Sequence, residues 1–129
     1  MKILSINYSI IKNGIYKKFS SVFIYKSKLS LSFLDVLLQE GVIRSYCILS
    51  DQKIEVFLKY YKGESVINDI IPISSSSRSI YYTVEDICRW KGLYAPLHSF
   101  LILNTSKNIF SSNEVRNYKV GGQVLCIIN

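Results

Sequence analysis

Apolar residues in the first half of the chain alternate between helical and strand-like spacing. Ile3, Ile6 and Ile10 recur at helical spacing, and the pair Asn13-Gly14 is typical of a helix end. A leucine-rich stripe predicts a second helix, over 29–39, that ends at Gly41. The remaining predicted elements are strands over 21–25, 42–49 and 54–60. The order αβαββ predicts a small sheet with two helices covering one face, which forms a first lobe of residues 1–64.

The second half shows shorter strand-like runs between polar turns. These runs predict strands over 66–73, 78–83, 99–103 and 123–128. Thr83 and Asp86 predict the start of a short helix, and the capping-box pattern from Ser111 to Glu114 predicts a helix over 112–118. Residues 91–97 read as a surface connection. The second lobe, residues 65–129, is therefore expected to be mainly β with a capped helix before the last strand, and the fold class is α+β.

Composition narrows the class of partner. The chain has 129 residues, of which 49% are hydrophobic, so a packed core is expected. Sixteen Lys and Arg against nine Asp and Glu give a net charge of +7. This surplus favours a polyanionic partner, most simply nucleic acid, with an anionic membrane surface as a distant alternative. No apolar run approaches the roughly 18 to 20 residues of a membrane-spanning helix.

Signals for catalysis, metals and cofactors are missing from the sequence. It contains no GxSxG, HExxH, dinucleotide fingerprint or Gly-rich phosphate loop. Glu85 and Asp86 are adjacent, so they do not face each other on a helix and serve better as first-turn charges than as an acid/base pair. Cys47 and Cys126 lie in apolar strands, where buried thiols are expected. We expect no catalytic residues, no metal site, no cofactor and no small-molecule substrate.

The strongest candidate site is Asn104-Thr105-Ser106-Lys107-Asn108, which lies between the apolar strand over 99–103 and the helix opened by Ser111. Such a strand-to-helix corner would present backbone N–H groups together with the two hydroxyls of Thr105 and Ser106. Lys107 adds a cation that seeks phosphate, and Asn108 tolerates a left-handed backbone. Hydroxyls, amides and one cation suit the sugar edge and phosphates of RNA, although an ordinary polar turn before a helix has the same composition.

Two further groups of residues suit RNA. In the strand predicted over 78–83, the guanidinium of Arg78 could bind a phosphate and an exposed Tyr81 ring could stack on a base. A Tyr-rich sheet face with no RNA contact has the same pattern. The second group is basic and lies at the ends of the first helix and strand, either as an RNA-binding patch or as a solvated rim. Its members are Lys12, Asn13, Lys17, Lys18, Lys26 and Lys28.

Taken in order, these segments resemble the small-subunit ribosomal protein family conventionally numbered eight. The resemblance spans nearly the whole chain and depends on the joint order of its pieces. They are Ile-Lys-Asn-Gly at 11–14, Ser-Lys-Leu at 27–29, the segment 36–43, Leu-Lys-Tyr-Tyr-Lys-Gly at 58–63, Arg-Ser-Ile-Tyr at 78–81, Thr-Ser-Lys at 105–107 and Gly-Gly at 121–122.

The resemblance implies a two-lobed, non-catalytic protein that binds the central domain of small-subunit ribosomal RNA beside neighbouring ribosomal proteins. The family's Ser-Thr-Ser-Lys-Gly motif is its principal RNA contact. Here Asn104 replaces the first Ser, and Asn108 replaces the Gly, an exchange that requires a left-handed backbone at 108. Lys59, Gly121 and Gly122 join the expected RNA-binding residues through the same resemblance. Ser75–Ser77 replaces an Arg-Pro-Gly loop, and the segment 88–99 is longer than the family norm.

The cellular setting is inferred from composition. Three cysteines without a CxxC pair favour a reducing compartment, and the first 25 residues lack the patterns of signal and transit peptides. The chain has 19 Ile and 12 Lys but one Ala and four Arg, which is typical of an A+T-rich genome. We expect an organelle-encoded protein of the mitochondrial ribosome, with a plastid or a bacterial cytoplasm as alternatives. The functional alternatives are a maturation factor outside the ribosome that binds RNA and, more remotely, a small enzyme.

Overall fold

The computed structural model describes residues 2–74, 77–93, 99–106, 108–112 and 120–129, which contain helices and antiparallel sheets. The predicted α+β class is confirmed. The chain divides into two compact units, Met1–Asp69 and Ile70–Asn129, called here the N-terminal and C-terminal units. The division falls after the expected end of the first lobe at residue 64, because the following segment stays with the first unit. Val66 N–H donates to the carbonyl of Lys59 at 3.0 Å, and the Ile67 side chain is buried.

The N-terminal unit follows the predicted order αβαββ and then adds a short hairpin. Its elements are α1 (Lys2–Tyr16), β1 (Ser21–Tyr25), α2 (Lys28–Gln39), β2 (Ile43–Ile48), β3 (Lys53–Leu58), β4 (Tyr60–Tyr61) and β5 (Glu64–Ser65). The first three strands form an antiparallel sheet in the order β1-β3-β2. The last two pair with each other around Lys62, whose φ is +52°, so the predicted strand over 54–60 ends at Leu58.

The core of this unit lies between one face of the sheet and the two helices. Register pairs Val22 with Val56 and Ile24 with Ile54, and all four side chains are buried. The ring of Phe33 in α2 packs against another aromatic ring, that of Tyr8 in α1, with centroids 5.3 Å apart.

The helix stripes differ from those read in the sequence. The buried residues of α1 are Leu4, Asn7, Tyr8 and Ile11, whereas Ile3 and Ile6 are 43% and 42% exposed. In α2, Leu38 is likewise exposed, because the buried face is centred on Phe33, Leu34 and Leu37. Periodicity therefore predicted both helices and most of the buried face of α2, whereas it placed the buried face of α1 incorrectly.

The predicted end of α1 at Asn13-Gly14 is wrong, because the helix continues to Tyr16. Gly14 is used for its small size: a β-carbon there would overlap Cγ1 of Val22 in β1. The residue that terminates the helix is instead Lys18, two positions beyond its end, whose φ is +58°. Phe19 N–H donates to Gly14 O at 2.9 Å and Lys18 N–H to Ile15 O at 3.1 Å, the paired bonds of a Schellman motif.

Asn7 joins α1 to the end of β1 through a fully buried amide. Its Nδ2 donates to the carbonyl of Tyr25 at 3.0 Å, and the N–H of Tyr25 donates back to its Oδ1 at 3.0 Å. The same Nδ2 lies 2.8 Å from the hydroxyl oxygen of Ser30 in α2. One side chain thus satisfies both backbone groups of a strand residue and ties three elements together.

The C-terminal unit is a sheet with one described helix. Its elements are β6 (Ile70–Pro72), β7 (Tyr81–Tyr82), α3 (Val84–Leu93), β8 (Phe100–Asn104), β9 (Ile109–Ser111) and β10 (Gly122–Ile128). The sheet order is β6-β10-β8-β9, and β7 also pairs with β10. The strands predicted over 66–73 and 78–83 are shorter than expected, and α3 occupies 91–93, the start of the predicted surface connection. The predicted helix over 112–118 lies mainly outside the described residues.

Helix α3 covers the sheet through a compact apolar cluster. Ile87 of α3 is buried with Leu101, Leu103 and Val124 of the strands. The predicted capping pair is confirmed: the N–H of Thr83 donates to Asp86 at 3.1 Å, and the N–H of Asp86 donates to the Thr83 hydroxyl at 3.2 Å.

The two strand cysteines have different surroundings. Cys126 is buried in β10 as expected, but Cys47 is exposed. The expectation of a buried thiol at Cys47 is wrong because β2 is an edge strand, and most of its residues are accessible to solvent.

Candidate nucleic-acid interface

Residues 104–108, named here the hydroxyl turn, connect two strands of one hairpin. Asn104 pairs with Ile109 and Leu103 with Phe110, so β8 and β9 run antiparallel on either side of the turn. The predicted strand-to-helix corner is therefore wrong. Ile109 and Ser111 are buried on β9, and a three-residue strand of this kind is too short for alternation to reveal it.

The turn is closed by hydrogen bonds between Thr105 and Asn108. The Thr105 hydroxyl donates to the carbonyl of Asn108 at 2.6 Å, and the N–H of Asn108 lies 3.2 Å from that hydroxyl. The N–H of Thr105 also donates to Asn108 O at 2.9 Å. The hydroxyl of Thr105 therefore shapes the turn, whereas Ser106 is exposed at its tip. Lys107 lies outside the described residues.

Asn108 does not adopt the left-handed backbone expected of it. Within the described part of the chain, positive φ occurs among non-glycine residues at Lys18 and Lys62 alone. Asn108 instead uses its side chain, whose Oδ1 accepts a hydrogen bond from the N–H of Ile109 at 2.8 Å. The bonds from Thr105 close the turn, so a residue with a β-carbon fits at position 108 without backbone strain.

Two glycines at the start of β10 allow close backbone approaches, Gly122 to the hydroxyl turn and Gly121 to the end of β7. A β-carbon at Gly122 would lie 2.5 Å from the carbonyl oxygen of Asn104 and 3.0 Å from the α-carbon of Thr105. A β-carbon at Gly121 would lie 2.9 Å from the α-carbon of Thr83. Since real β-carbons do not approach backbone this closely, only glycine fits here. The structure thus gives Gly121 and Gly122 a role in backbone packing.

Tyr81 lies in the same row of the sheet as the hydroxyl turn. Gln123 of β10 is paired with Tyr81 on one side and with Asn104 on the other. Strands in a sheet are about 4.8 Å apart, so the row spans roughly 10 Å. The Tyr81 side chain is 69% exposed, and Arg78 is exposed three residues before it. Two sites that the sequence suggested separately are therefore neighbours.

Sequence reasoning missed two residues that hold this arrangement. The buried Ser74 accepts a hydrogen bond from the N–H of Ile80 at 3.0 Å, which positions the segment before Tyr81. Gln123 donates from Nε2 to the hydroxyl of Ser79 at 3.2 Å. Ser74 lies in a run of four serines that has no periodicity, and Gln123 is an ordinary polar residue near the start of a strand. The sequence therefore did not single out either residue as part of the site.

The remaining expected residues belong to the N-terminal unit. Lys12 is exposed on α1 and forms an ion pair with Asp69 at 3.2 Å, and Asn13 is exposed beside it. Lys28 is exposed at the start of α2, where Ser27 caps the helix. Lys59 donates from Nζ to the carbonyl of Gly41 at 3.0 Å. These four residues lie on three separate segments of the unit.

The electrostatics of the described residues give no sign of a reaction centre. The backbone and hydroxyl hydrogen bonds of Thr83, followed by nearby Arg89, lower the pKa of Asp86. The hydrogen bond to Asp35, with partial burial, raises the pKa of Tyr46. Within the same residues, no three His, Cys, Asp or Glu side chains gather where they could ligate a metal ion. His98 lies outside the described residues.

The helices in the described part of the chain are too short or too polar to cross a lipid bilayer.

Comparison with known proteins identifies the class. A family model described as Ribosomal protein S8 matches residues 4–129. The small ribosomal subunit proteins uS8 of Rhizobium rhizogenes and Rhizobium meliloti are each 37% identical to this chain over 123 residues, covering 92% of it and 89% of the relative. That of Caulobacter vibrioides is also 37% identical, covering 90% of this chain and 88% of the relative.

A match over almost the whole chain places this molecule among the ribosomal proteins. It belongs to the ribosomal protein S8 family. The resemblance noted from the sequence is confirmed. A ribosomal protein family is structural rather than enzymatic, so the chain is not an enzyme.

Proposed function

We propose that this protein is a structural component of the small ribosomal subunit and binds small-subunit ribosomal RNA through the C-terminal unit. The observation that carries the proposal is the row Tyr81–Gln123–Asn104. It sets an exposed ring and the hydroxyl turn side by side on one sheet, where both reach the same RNA surface. Hydroxyls and backbone amides contact RNA through 2′-OH groups and phosphates, and an exposed ring adds stacking on an unpaired base.

Within this proposal the residues have different tasks. Ser106, Asn104 and Lys107 contact the groove and backbone of an RNA helix, and Tyr81 and Arg78 add stacking and a phosphate contact. Thr105, Asn108 and Gly122 hold the turn in shape, and Gly121 allows the close approach to the end of β7 that carries Tyr81. The basic residues of the N-terminal unit, including Lys12, Asn13, Lys28 and Lys59, anchor neighbouring RNA. The RNA proposed is the central domain of small-subunit ribosomal RNA, with other ribosomal proteins as neighbours.

The site of action proposed is the mitochondrial ribosome. The support is compositional: an excess of Ile and Lys over Ala and Arg is typical of an A+T-rich genome. The relatives reported above are bacterial, which suits an organelle of bacterial ancestry and a bacterial cytoplasm alike. Cell fractionation followed by mass spectrometry of purified ribosomes tests the location.

The Ser106→Ala variant tests the RNA contact. Loss of the hydroxyl leaves an RNA polar group unpaired in a dry contact, which costs about 1 to 3 kcal/mol and weakens binding by roughly 5-fold to 150-fold. The measurement is a filter-binding titration with a central-domain transcript. Ser45→Ala is the matched control, because Ser45 is exposed on β2 in the other unit. Equal affinities for both variants and the parent would contradict the proposed contact.

Lys107→Gln separates charge from hydroxyl recognition. A lysine that neutralises one phosphate contributes about 0.9 to the slope of log K against log salt concentration. We expect Lys107→Gln to lower that slope by about this amount and Ser106→Ala to leave it unchanged. Co-sedimentation of the parent with small subunits through high salt distinguishes a ribosomal component from a maturation factor, which would be released.

A further inference from the structure

A cavity of 320 Å³, named here the aromatic slot, lies beside Tyr81. It is lined by Tyr81, Tyr82, Asp86, Arg89 and Trp90. Tyr82 and Trp90 are half-buried and pack against the apolar cluster of the C-terminal unit, so two of the aromatic walls are fixed by the core. Tyr81 is 69% exposed and borders the open side. The slot therefore has two apolar walls packed against the core and one exposed ring at its open side.

The polar groups of the slot come from one face of α3. Asp86, Arg89 and Trp90 stand at positions i, i+3 and i+4, so their side chains share that face. Asp86 is held by the capping box with Thr83, and these hydrogen bonds keep the pKa of its carboxyl below the ordinary value. A carboxylate held by the capping box thus stands on the same helix face as the exposed Arg89, beside three aromatic rings.

This chemistry is selective for the kind of ligand. Three rings favour a flat, polarisable group, the Arg89 guanidinium takes a phosphate in a forked contact, and the carboxylate accepts from a base N–H. An apolar side chain from a neighbouring protein would cover the exposed Arg89 guanidinium without offering it an acceptor, which is unfavourable. An unpaired nucleotide satisfies the rings, the cation and the carboxylate together.

We propose that the aromatic slot receives a single unpaired nucleotide of the bound RNA, its base against Trp90 and Tyr81 and its phosphate on Arg89. The inference rests on the proposed RNA-binding function and deepens it. The slot shares Tyr81 with the row Tyr81–Gln123–Asn104, so a helix held at the hydroxyl turn would deliver a bulged or looped-out nucleotide to the slot.

Trp90 is the only tryptophan in the chain, which makes its fluorescence a direct reporter of the slot. Titration of the full-length protein with a central-domain transcript should quench this fluorescence in parallel with binding measured on filters. Adenosine monophosphate alone should quench it saturably at millimolar concentration, whereas ribose 5-phosphate, which lacks a base, should not. The mononucleotide result tests the slot independently of ribosomal RNA binding.

The outcomes separate the two proposals. If the transcript binds on filters but neither it nor adenosine monophosphate quenches Trp90, the slot is overturned and the proposed function stands. If the transcript does not bind, the proposed function fails, whatever the mononucleotide does. If the fluorescence changes only on incorporation into small subunits, a protein neighbour occupies the slot and the nucleotide assignment is overturned.

Variants give a second, independent test that avoids the partly buried Trp90. Arg89→Gln should weaken transcript binding and lower the salt slope by about 0.7, the value for a phosphate of a single strand. Arg44→Gln is the matched control, because Arg44 is exposed on β2 and lines neither site. Tyr81→Ala should weaken binding by about 5-fold to 100-fold and reduce the quenching. Equal behaviour of Arg89→Gln and Arg44→Gln would overturn the slot.

Discussion

The two units carry similar net charge but build it from different cations. The N-terminal unit holds nine of the 12 lysines and one arginine, whereas the C-terminal unit holds three of the four arginines. Lysine is a mobile point charge, and arginine is a planar group that stacks and forms paired hydrogen bonds. Under the proposed function, this difference and the hydroxyl turn would give the first unit a general attraction for RNA and the second unit oriented contacts.

The units also differ in what their candidate residues require of the backbone. Lys12 and Lys28 are exposed on helices and need only remain near a phosphate. The hydroxyl turn, in contrast, depends on the close approach of Gly122. A β-carbon at this position would lie 2.5 Å from the carbonyl oxygen of Asn104. Small changes of backbone shape should therefore damage the C-terminal site and leave the lysines of the N-terminal unit functional.

The largest expected effect is that of Gly122→Ala. The new methyl group would meet the Asn104 carbonyl and the backbone of Thr105, neither of which is a flexible side-chain end. We expect a loss of about 3 kcal/mol in the free energy of unfolding, confined to the C-terminal unit. Peptide-resolved hydrogen exchange measures the effect in each unit separately.

Gly63→Asn is the control for this substitution. Gly63 has a φ of +81°, and a β-carbon there would meet nothing within 4 Å. Asn tolerates that conformation, so hydrogen exchange should change little. A Gly122→Ala protein with parental exchange and RNA affinity would show that the turn does not depend on this close approach.

The next effect in size is that of Asn7→Ala, which tests the N-terminal unit. The substitution leaves the N–H and carbonyl of Tyr25 without their partner, and we expect a loss of about 2 kcal/mol in stability. Asn13→Ala on the same helix is exposed and should be nearly neutral. RNA contacts of the hydroxyl turn should persist in footprints of the Asn7→Ala protein. Their loss would show that the units do not act separately.

The smallest effect concerns the start of α3. Because the folded-state pKa of Asp86 lies below 3.8, its carboxylate stabilises the helix above about pH 4 and loses this effect as pH falls through the lowered pKa. Asp86→Ala should therefore speed exchange of α3 amides at pH 7 and have less effect in acid. Glu85→Ala, one residue earlier and outside the capping box, should speed that exchange less at pH 7. A constant difference across pH would contradict the capping role.

Local rules recovered much of the fold from the sequence. The helix start at Thr83 was predictable because its two hydrogen bonds join residues that are three positions apart. The end of α2 was predictable because the left-handed backbone at Gly41 favours glycine. The end of α1 was not predictable, since Gly14 fills a position against Val22 in a strand eight residues further along.

The candidate site was predictable in its residue types but not in its assembly. Thr105, Ser106, Arg78 and Tyr81 were recognisable as groups that suit RNA. Their proximity depends on β10 pairing with β7 and β8 at once, a long-range contact that no local pattern encodes. The same limit explains why the hairpin at the hydroxyl turn was mistaken for a strand-to-helix corner.

The amide of Asn7 has one more consequence. β1 is an edge strand, and its Tyr25 backbone groups are those that an incoming strand from another molecule would use. By occupying both, the side chain imitates a neighbouring peptide and closes that end of the sheet to intermolecular pairing. The free chain thus carries its own protection against edge-to-edge aggregation at this strand.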